Sequence, residues 1–408
     1  MKHILVVSQY FHPENFRIND IASEWVKRGY KVTVLTGIPN YPQGEYYEGY
    51  SKTERRQEKW NGMEIIRLPI VPRKKGSLGL IRNYISFVNA GRKWVRKTDL
   101  KTDIVFTFEV SPMTQALVSV WYAQKNKIPH ILYVTDLWPE NVEIITGIHN
   151  KLFLGTIQKM VDYIYKRSTK ILTSSNSFIS SIIKRSIPPE RIEFWPQYAE
   201  EFYRPTEKIS GSEIPADGVF NLVFAGNIGY SQGLGILPKA AGKLKSEGIS
   251  VRFNIIGDGR YKEKLKEEME ARKVKEYFNF IDRKPAEQIP PYLAAADALL
   301  ITLSKSKVFA ITIPAKTQSC LACGKPILVS ADGEVQEIIK NAEAGLASAA
   351  EDVDGLVENI KALLQMSKQE CERLGRNALA YSEEHFNKEK LLNRLDEIFI
   401  KEILNVKS

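Results

Sequence analysis

Short runs of β-branched and apolar residues alternate with helix-length amphipathic segments along nearly the whole chain. Strands connected in this way pair in parallel, because a parallel connection needs a crossover that a helix supplies. The pattern occurs once in each half. The predicted strands are HILVVSQ, KVTVLTG, DIVFTFE, HILYVTD and KILTSSN in the first half, and NLVFAGN, VRFNIIGDG, YFNFID, ALLITLS and PILVSAD in the second. The chain is therefore predicted to form two Rossmann-like, doubly wound α/β domains with parallel sheets.

A polar segment between the two halves marks the predicted domain boundary. Residues 198–218, YAEEFYRPTEKISGSEIPADG, are rich in Pro, Gly, Ser and charge, as linkers are. With 408 residues and 43% hydrophobic composition, the chain is long enough for two cores. We predict an N-terminal domain at 1–199, a C-terminal domain at 200–381, and a final helix at 382–408 that packs back on the first domain. The strand ends of both domains are expected to open into a cleft between them.

The two halves differ in charge. Residues 1–199 carry 29 Lys and Arg against 17 Asp and Glu, a net +12, whereas residues 200–408 carry 29 against 31, a net −2. A basic half indicates an anionic partner, such as a membrane surface or nucleic acid, although solubility alone would also explain it. The N-terminal apolar run is too short for a signal peptide, and no stretch approaches the roughly 20 apolar residues of a membrane-spanning helix. A reducing cytoplasm is the expected location.

Glycine-rich turns follow two predicted strands of the second half. The turn at 226–235 lacks the spacing of a dinucleotide-binding fingerprint, and Gly257-Asp258-Gly259 stops after two glycines. No G-x-x-x-x-G-K-[ST] sequence occurs, so a nicotinamide enzyme and a P-loop NTPase are both disfavoured. Glycines before a helix let backbone N–H groups and the helix dipole hold a phosphate without a cationic side chain. The alternative is a tight turn that needs positive φ.

Several segments occur in an order that resembles one family. They are YVTDLWPE at 133–140, FWPQYAEEFYRP at 194–205, GNIGYSQGLG at 226–235, IIGDG at 255–259 and CLACGKPILVSADGEVQEII at 320–339, together with the basic N-terminal half. This set resembles the GT-B glycosyltransferases of family 4 that build bacterial surface polysaccharides, over nearly the whole chain. The YFHPE, DLWPE, GNIG-x-x-QG and P-x-K elements are most similar to the L-fucosamine (N-acetyl-L-fucosamine) transferases of O-antigen and capsule assembly.

The resemblance implies a retaining transfer of a sugar from a nucleotide-sugar donor, by family habit a UDP sugar, to a saccharide acceptor. The donor would bind the C-terminal domain. The acceptor, linked to a polyprenyl diphosphate in an anionic inner membrane, would approach the basic N-terminal domain from the cytoplasmic face. Two alternatives stay open at this point: a nucleotide-sugar epimerase of the same fold, and a catalytically inactive partner that binds nucleotide sugars.

The predicted donor turn departs from the family pattern at its cationic positions. The family commonly carries Arg and Lys where this chain has Asn227 and Gln232, and a Glu pair where it has Ile311 and Ser319. Lys316, in TIPAKTQ, is predicted in a first helical turn, where a lysine is unfavourable unless an anion is bound. We therefore expect Lys316 to contact the donor diphosphate; the alternative is a solvated surface lysine. The other donor-side candidates are Gly226, Gly229, Gly233, Gly257, Gly259, Arg283 and Glu337.

Four candidates follow strand ends in the N-terminal domain. Asp136 comes directly after a predicted strand, where its carboxylate could bond a donor-sugar hydroxyl or stabilise an oxocarbenium-like centre. A helix cap is the alternative. Glu14 is predicted as catalytic together with Asp136 and Lys316, because it lies in the turn after the first strand. Asn15 and Arg17, in the same turn, are predicted on the acceptor side.

Two patterns typical of metal sites are better explained without a metal. Asp352-Val353-Asp354 has the spacing of a metal-binding D-x-D, but it precedes a predicted helix, so acidic N-capping is the prediction. Cys320-x-x-Cys323 has no second pair and no nearby histidine. No metal and no cofactor is expected.

Residues 67–101 contain ten Lys and Arg against one Asp. Within them Ile81, Tyr84, Ile85, Val88 and Val95 keep helical spacing, and a basic amphipathic helix is typical of interfacial membrane contact. The membrane-facing candidates are Arg73, Lys74, Lys75, Arg82, Arg92 and Lys93. The alternative is an ordinary helix with a solvated basic face. Nucleic acid is disfavoured, because aromatic residues are not interleaved with the basic ones in a known module.

Overall fold

A computed structural model describes residues 1–74, 76–142, 150–207 and 213–407. Contacts divide the chain into two units, one of Met1–Trp195 with Arg394–Ser408, and one of Pro196–Asn393. The division follows Trp195 rather than residue 199, because the last strand of the first sheet ends at Phe194. Each unit is described by itself below.

The first unit is built on an eight-stranded sheet within the described residues. Its strands lie in the order β3-β4-β2-β1-β5-β6-β7-β8, and all pairs are parallel except β3 with β4. The inner strands are buried along their length, as expected for parallel strands covered on both faces. The bounds are β1 His3–Val7, β2 Lys31–Gly37, β3 Gln57–Trp60, β4 Met63–Leu68, β5 Ile104–Glu109, β6 His130–Val134, β7 Lys170–Thr173 and β8 Ile192–Phe194.

Helices connect these strands. They are α1 Arg17–Lys27, α2 Ser77–Lys97, α3 Ala116–Asn126, α4 Lys151–Arg167 and α5 Ser177–Ile183. The apolar face of α1 buries Ile18, Ile21 and Trp25 against the sheet. Trp25 packs on Phe106 of β5, with 4.9 Å between the ring centres.

The second unit has a six-stranded sheet within the described residues, parallel throughout, in the order β11-β10-β9-β12-β13-β14. The strands are β9 Phe220–Ala225, β10 Val251–Ile256, β11 Phe278–Ile281, β12 Ala298–Thr302, β13 Ile327–Ser330 and β14 Gly345–Ser348. The helices are α6 Ile236–Ser246, α7 Lys262–Ala271, α8 Pro290–Ala294, α9 Lys307–Ala310, α10 Lys316–Ala322, α11 Glu334–Asn341, α12 Val353–Gln365 and α13 Lys368–His385. Both sheets have the predicted doubly wound α/β architecture.

Each sheet reverses its strand order at one point. In the first sheet β1 lies between β2 and β5, and in the second β9 lies between β10 and β12. Ligands of doubly wound sheets bind outside the carboxyl ends of the strands at such a reversal. The turns after β1, β5 and β9, which flank these two reversals, are therefore where the fold predicts a site.

The predicted first residue of the C-terminal helix, residue 382, is wrong. Ser382 belongs to α13, which ends at His385, and a separate helix α14 runs over Lys388–Lys407. From Arg394 onward this helix belongs to the first unit. There Phe399 is fully buried, with its ring centre 5.4 Å from that of Trp25 and 6.0 Å from that of Phe106.

Truncation of Phe399 tests how much this helix stabilises the first unit. We expect Phe399→Ala to cost about 3–5 kcal/mol, since it leaves a cavity against two buried rings. The urea midpoint followed by tryptophan fluorescence should fall accordingly. Ile400→Ala is the matched control, because Ile400 is 51% exposed on the same helix. Equal midpoints for both variants would contradict a core role for α14.

Candidate functional site

The turn after β9 is held in shape by the turn after β10. A Cβ atom on Gly257 would lie 1.9 Å from the carbonyl oxygen of Gly226, and one on Gly259 would lie 2.3 Å from the carbonyl oxygen of Ile228. The amide of Ile228 in turn donates to the carbonyl of Asp258 over 2.8 Å. Gly257 and Gly259, predicted as donor contacts, therefore serve close packing between two backbone turns.

Several amides of the turn after β9 donate within the protein. Gly226 donates to Ile256 (2.9 Å), Gln232 to Gly229 (3.0 Å) and Gly233 to Tyr230 (3.3 Å). The chain forms a 3-10 turn at Tyr230–Gln232, Gly233 adopts φ +63°, and α6 begins at Ile236. The amides of Gly226 and Gly233 are therefore already engaged within the protein, and phosphate binding by this turn stays a prediction.

Lys316 brings a cation into this turn from another segment. It is the first residue of α10, and its Nζ donates to Oε1 of Gln232. The same Nζ lies 3.8 Å from the centre of the Phe224 ring, and a Cβ on Gly226 would lie 3.4 Å from it. Desolvation lowers the pKa of Lys316 to about 7, while Cys320 acts in the opposite direction. The structure thus brings Lys316, Gln232 and Gly226 together. The ammonium lies at the turn after β9, which has no basic residue of its own between Gly226 and Gly233.

Three other donor-side candidates, Asn227, Arg283 and Glu337, are exposed. Asn227 is exposed, and its side chain packs along Gly229, where a Cβ would come within 2.6 Å of its Nδ2. Arg283 is exposed in the loop after β11, and Glu337 is exposed on α11. Glu334, the buried first residue of α11, was not singled out from the sequence.

In the first unit, Asp136 follows β6 and is held by the turn after β5. Its carboxylate accepts the amide of Ser111 over 2.8 Å, and its own amide reaches Oε2 of Glu109 at 3.4 Å. The hydroxyl of Ser111 accepts the indole N–H of Trp138 at 3.0 Å. Asp136 is therefore oriented by two neighbouring strand ends next to the point where the strand order reverses.

Glu109, the last residue of β5, is a site residue that sequence reasoning missed. It is fully buried, and its carbonyl accepts both the amide and the hydroxyl of Thr135. Burial, followed by the charge of Asp136, raises its pKa well above the usual range for a glutamate. The sequence contained one indication of this role: Glu109 is an acidic residue at the end of a predicted strand, DIVFTFE, like the strand that precedes Asp136.

Glu14, predicted as catalytic, has a structural contact in the first unit, and its catalytic role stays a prediction. Its carboxylate is buried and accepts the amides of Asn40 (2.8 Å), Tyr41 (2.7 Å) and Phe11 (3.3 Å). Burial raises the pKa of Glu14 to about 7, and these three donors oppose the rise. The residue clamps the turn after β1 to the loop after β2. Asn15 beside it is exposed, and Arg17 is the first residue of α1.

The clamp predicts a local change in Glu14→Gln. Asn40 and Tyr41 both donate to Oε1 of Glu14, whereas Phe11 donates to Oε2. A glutamine keeps one acceptor oxygen for the first two amides and places an NH2 group against Phe11, so the amide of Phe11 should lose its partner, at a cost of about 1–3 kcal/mol. Hydrogen exchange of the Phe11 amide should accelerate by about 10–100-fold. Asn15→Ala, at an exposed neighbour, should leave the exchange unchanged. Unaltered exchange in Glu14→Gln would contradict the clamp.

The basic helix α2 buries Tyr84 and Val95 of the predicted apolar set but leaves Ile85 exposed. Leu80, Tyr84, Phe87, Gly91 and Val95 face the core, whereas Ile85 is 54% and Leu78 is 62% exposed. The exposed basic residues that accompany these two apolar side chains are Lys74, Arg82, Arg92, Lys93, Arg96 and Lys97.

Arg73, one of the predicted membrane-facing residues, does not join this face. Arg73 is partly buried over the ring of Tyr41, with 5.1 Å from its guanidinium carbon to the ring centre, and its amide donates to Asn40. It is therefore not a free surface cation. Lys75 lies outside the described residues.

The D-x-D pattern is a helix cap, as predicted. The side chain of Asp352 accepts the amide of Gly355 at 2.9 Å at the start of α12, and Asp354 pairs with Lys243. Cys320 and Cys323 are buried thiols on α10 and at its end.

Family comparisons decide which class of protein carries this arrangement. Residues 16–197 match the model of Glycosyltransferase Family 4, and residues 206–380 match that of glycosyl transferases group 1. The two matches cover one unit each. The chain is a GT-B glycosyltransferase.

Relatives and solved structures resemble the chain over most of its length. The chain is 24% identical over 354 residues to a protein of Escherichia coli (strain K12) named colanic acid biosynthesis glycosyl transferase WcaI, which covers 81% of this chain and 83% of that relative. Among solved structures, Anabaena Alr3699/HepE in complex with UDP and glucose is 16% identical with a TM-score of 0.69, covering 98% of this chain and 99% of the other. WaaG, a glycosyltransferase involved in lipopolysaccharide biosynthesis, is 17% identical with a TM-score of 0.68, covering 97% and 99%. At these identities the solved structures support the fold.

None of the described helices of this GT-B glycosyltransferase is long and apolar enough to cross a membrane.

Proposed function

We propose that this glycosyltransferase moves a sugar from a UDP-linked donor to a lipid-linked saccharide in the assembly of a bacterial surface polysaccharide, with retention of configuration. The observation that carries the proposal is the ammonium of Lys316, held on Gln232 and the ring of Phe224 inside the turn after β9. A desolvated cation in a glycine turn at the carboxyl end of a strand suits a diphosphate. The relative named for colanic acid biosynthesis and the neighbour solved with UDP and glucose support the same reading.

The proposed chemistry is a front-face displacement. Charge develops on the departing diphosphate, and Lys316 stabilises it there, while the diphosphate oxygen takes the proton of the attacking acceptor hydroxyl. Asp136, oriented by Ser111 and Glu109, contacts the sugar or stabilises positive charge at its anomeric carbon. The step uses no metal and no cofactor in this proposal.

The donor sugar in this proposal is an N-acetylated deoxy sugar of the L-fucosamine type. The YFHPE, DLWPE, GNIG-x-x-QG and P-x-K elements support it, and in the structure the Lys of P-x-K and the Gln of GNIG-x-x-QG are hydrogen-bonded partners. This pairing gives the two motif residues a common role.

A nucleotide-sugar panel tests the function. The purified chain is titrated with UDP sugars, including UDP-N-acetyl-L-fucosamine, and with GDP and dTDP sugars by calorimetry, and the binders are incubated with inner-membrane extract. Transfer of labelled sugar to the lipid fraction with retained configuration is expected. Release of an altered nucleotide sugar without acceptor would replace the proposal by an epimerase, and failure to bind any donor would remove it.

The acceptor is proposed to be linked to a polyprenyl diphosphate, which brings the chain to the cytoplasmic face of an anionic inner membrane. The face of α2 with Leu78, Ile85, Arg82 and Arg92 suits such a surface, because apolar side chains insert while cations meet lipid headgroups.

Vesicle binding tests this face. Arg82→Ala with Arg92→Ala should weaken binding to vesicles of 30% phosphatidylglycerol by about 10–30-fold, since each cation near the surface contributes about 1 kcal/mol. Lys151→Ala with Lys159→Ala removes the same charge from exposed positions of α4 and should change binding far less. Equal losses in both pairs would show a general charge effect and no docking face.

A further inference from the structure

A cavity of about 610 Å³ opens in the first unit beside the loop that joins β2 to β3. Small-molecule sites typically occupy about 300–1,000 Å³. Its walls are formed chiefly by His12, Glu45, Tyr46, Tyr47, Glu48 and Tyr50. The cavity is thus rich in aromatic rings, and carboxylates stand at its edge.

The three tyrosines present their rings because their hydroxyls are tied back to the protein. Tyr46 donates to the carbonyl of Ile70 at 2.5 Å, and Tyr47 donates to the carbonyl of Tyr41 at 2.7 Å. The hydroxyl of Tyr50 points to Glu58 at 3.4 Å. The rings are therefore fixed before any ligand arrives, which lowers the entropic cost of binding.

A buried arginine supports this wall from behind. Arg67 is fully buried, pairs with Glu58, and donates to the carbonyl of His12 at 2.6 Å. Its guanidinium carbon lies 4.9 Å from the centre of the Tyr50 ring. The ring of His12 stacks on Trp60 at 4.1 Å. One arginine thus fixes the two sides of the cavity, the turn after β1 and the loop after β2.

The rim carries two exposed carboxylates, Glu45 and Glu48, and one guanidinium, Arg55. Two carboxylates against one guanidinium give the rim a net negative charge, although it lies in a unit of net positive charge. The rim therefore accepts hydrogen bonds from hydroxyl groups and disfavours an added carboxylate or phosphate. Aromatic faces pack against the C–H face of a pyranose ring, and neighbouring carboxylates accept its hydroxyls. These groups match a neutral sugar rather than a nucleotide or an acidic sugar.

We propose that this cavity binds a neutral hexopyranose unit of the acceptor saccharide. That the bound sugar belongs to the acceptor rests on the proposed function, whereas that the cavity binds a sugar rests on the geometry alone. The loop also packs against the segment leading into α2: a Cβ on Gly44 would lie 2.6 Å from the carbonyl oxygen of Arg73. The cavity therefore lies next to the start of the helix proposed to meet the membrane, where a lipid-linked saccharide would arrive.

Saturation-transfer NMR on the full chain tests the cavity directly. The probes are the methyl glycosides of glucose, galactose and N-acetylglucosamine, with methyl glucuronide as the acidic comparison. At least one neutral probe should receive saturation and the glucuronide much less. Glu45→Gln with Glu48→Gln, and separately Tyr47→Ala, should reduce the neutral signal at least fivefold. Glu54→Gln, an exposed carboxylate of the same loop outside the cavity, is the control.

Transfer kinetics separate this inference from the proposed function. With an active enzyme, the double glutamine variant should raise KM for the acceptor about tenfold or more, while the dissociation constant for the nucleotide sugar stays within twofold. If no neutral glycoside receives saturation, or if its signal is unchanged in both cavity variants, the proposed sugar site is wrong. A chain that binds neutral glycosides there but transfers no sugar would remove the proposed function and leave the cavity.

Discussion

Lys316→Met is expected to raise the dissociation constant for the UDP-sugar donor about 100-fold or more. Losing one partner of a buried, hydrogen-bonded charge pair costs roughly 2–5 kcal/mol, and the methionine keeps the length of the side chain without its charge. The effect would be large because Lys316 is the cation that the structure places against Gln232 in the turn after β9. Calorimetry with a UDP sugar measures it. A UDP sugar is chosen because its diphosphate carries no proton that titrates near neutral pH.

The same lysine gives donor affinity a pH dependence of defined sign. Its pKa is lowered to about 7 in the free chain, so the ammonium is charged below that pH and neutral above it. The diphosphate binds the charged form, and therefore a proton must be taken up on binding at higher pH. Affinity should be flat below pH 7 and fall by up to about tenfold per unit above it. In Lys316→Met this dependence should disappear, and in Lys316→Arg the affinity should persist to higher pH.

Two further variants sharpen the result. Lys305→Met removes an exposed lysine of the same unit and should not change donor affinity. The double variant Gln232→Lys with Lys316→Met places a cation on a residue of the turn itself. It should bind the donor about tenfold or more tightly than Lys316→Met alone. Donor affinity that is unchanged in Lys316→Met would show that the lysine is not a diphosphate ligand.

Asp136→Asn is expected to lower kcat by about 10²–10³-fold with little change in donor affinity. Electrostatic groups that act on charge formed in the transition state have effects of this size. Asparagine keeps an oxygen for the amide of Ser111, so the turn should keep its shape while the charge is lost. Initial rates at saturating donor measure the change.

Asp99→Asn serves as the charge-matched comparison, because Asp99 is exposed after the end of α2. It should retain the wild-type rate. Equal rates for Asp136→Asn and the wild type would leave Asp136 as a structural residue that only orders the turn after β5.

The fold was predictable where strands are buried on both faces. Runs such as HILVV and IVFTF are mostly apolar and lie in the interior of the sheet, so the pattern and the structure agree. The strands absent from the prediction, β3, β4, β8 and β14, lie at or near sheet edges. QEKW in β3, for example, alternates exposed and partly buried residues and has no apolar run to mark it.

The site was predictable only in part, because its key contacts join distant segments. Lys316 could be singled out from its position, but its pairing with Gln232 depends on the fold. The amides of Gly226 and Gly233 suggested a phosphate cradle, yet hydrogen bonds from the neighbouring strand end and from the turn itself engage them. Glu14 and Glu109 show the same limit. The sequence does not distinguish a carboxylate near a strand end that faces solvent from one that is buried against the backbone.

The contact between Gly226 and Gly257 separates the backbone course of the donor turn from its charge, two properties that a single glycine-rich motif usually supplies. The course of the chain after β9 is fixed in part by a neighbouring turn that tolerates no side chain at Gly257, and this contact involves no side chain of residues 227–232. Charge in this turn can therefore be lost from one segment and supplied by another while the backbone stays in place. A search for related enzymes that requires basic residues between these glycines would miss members in which the cation has moved along the chain.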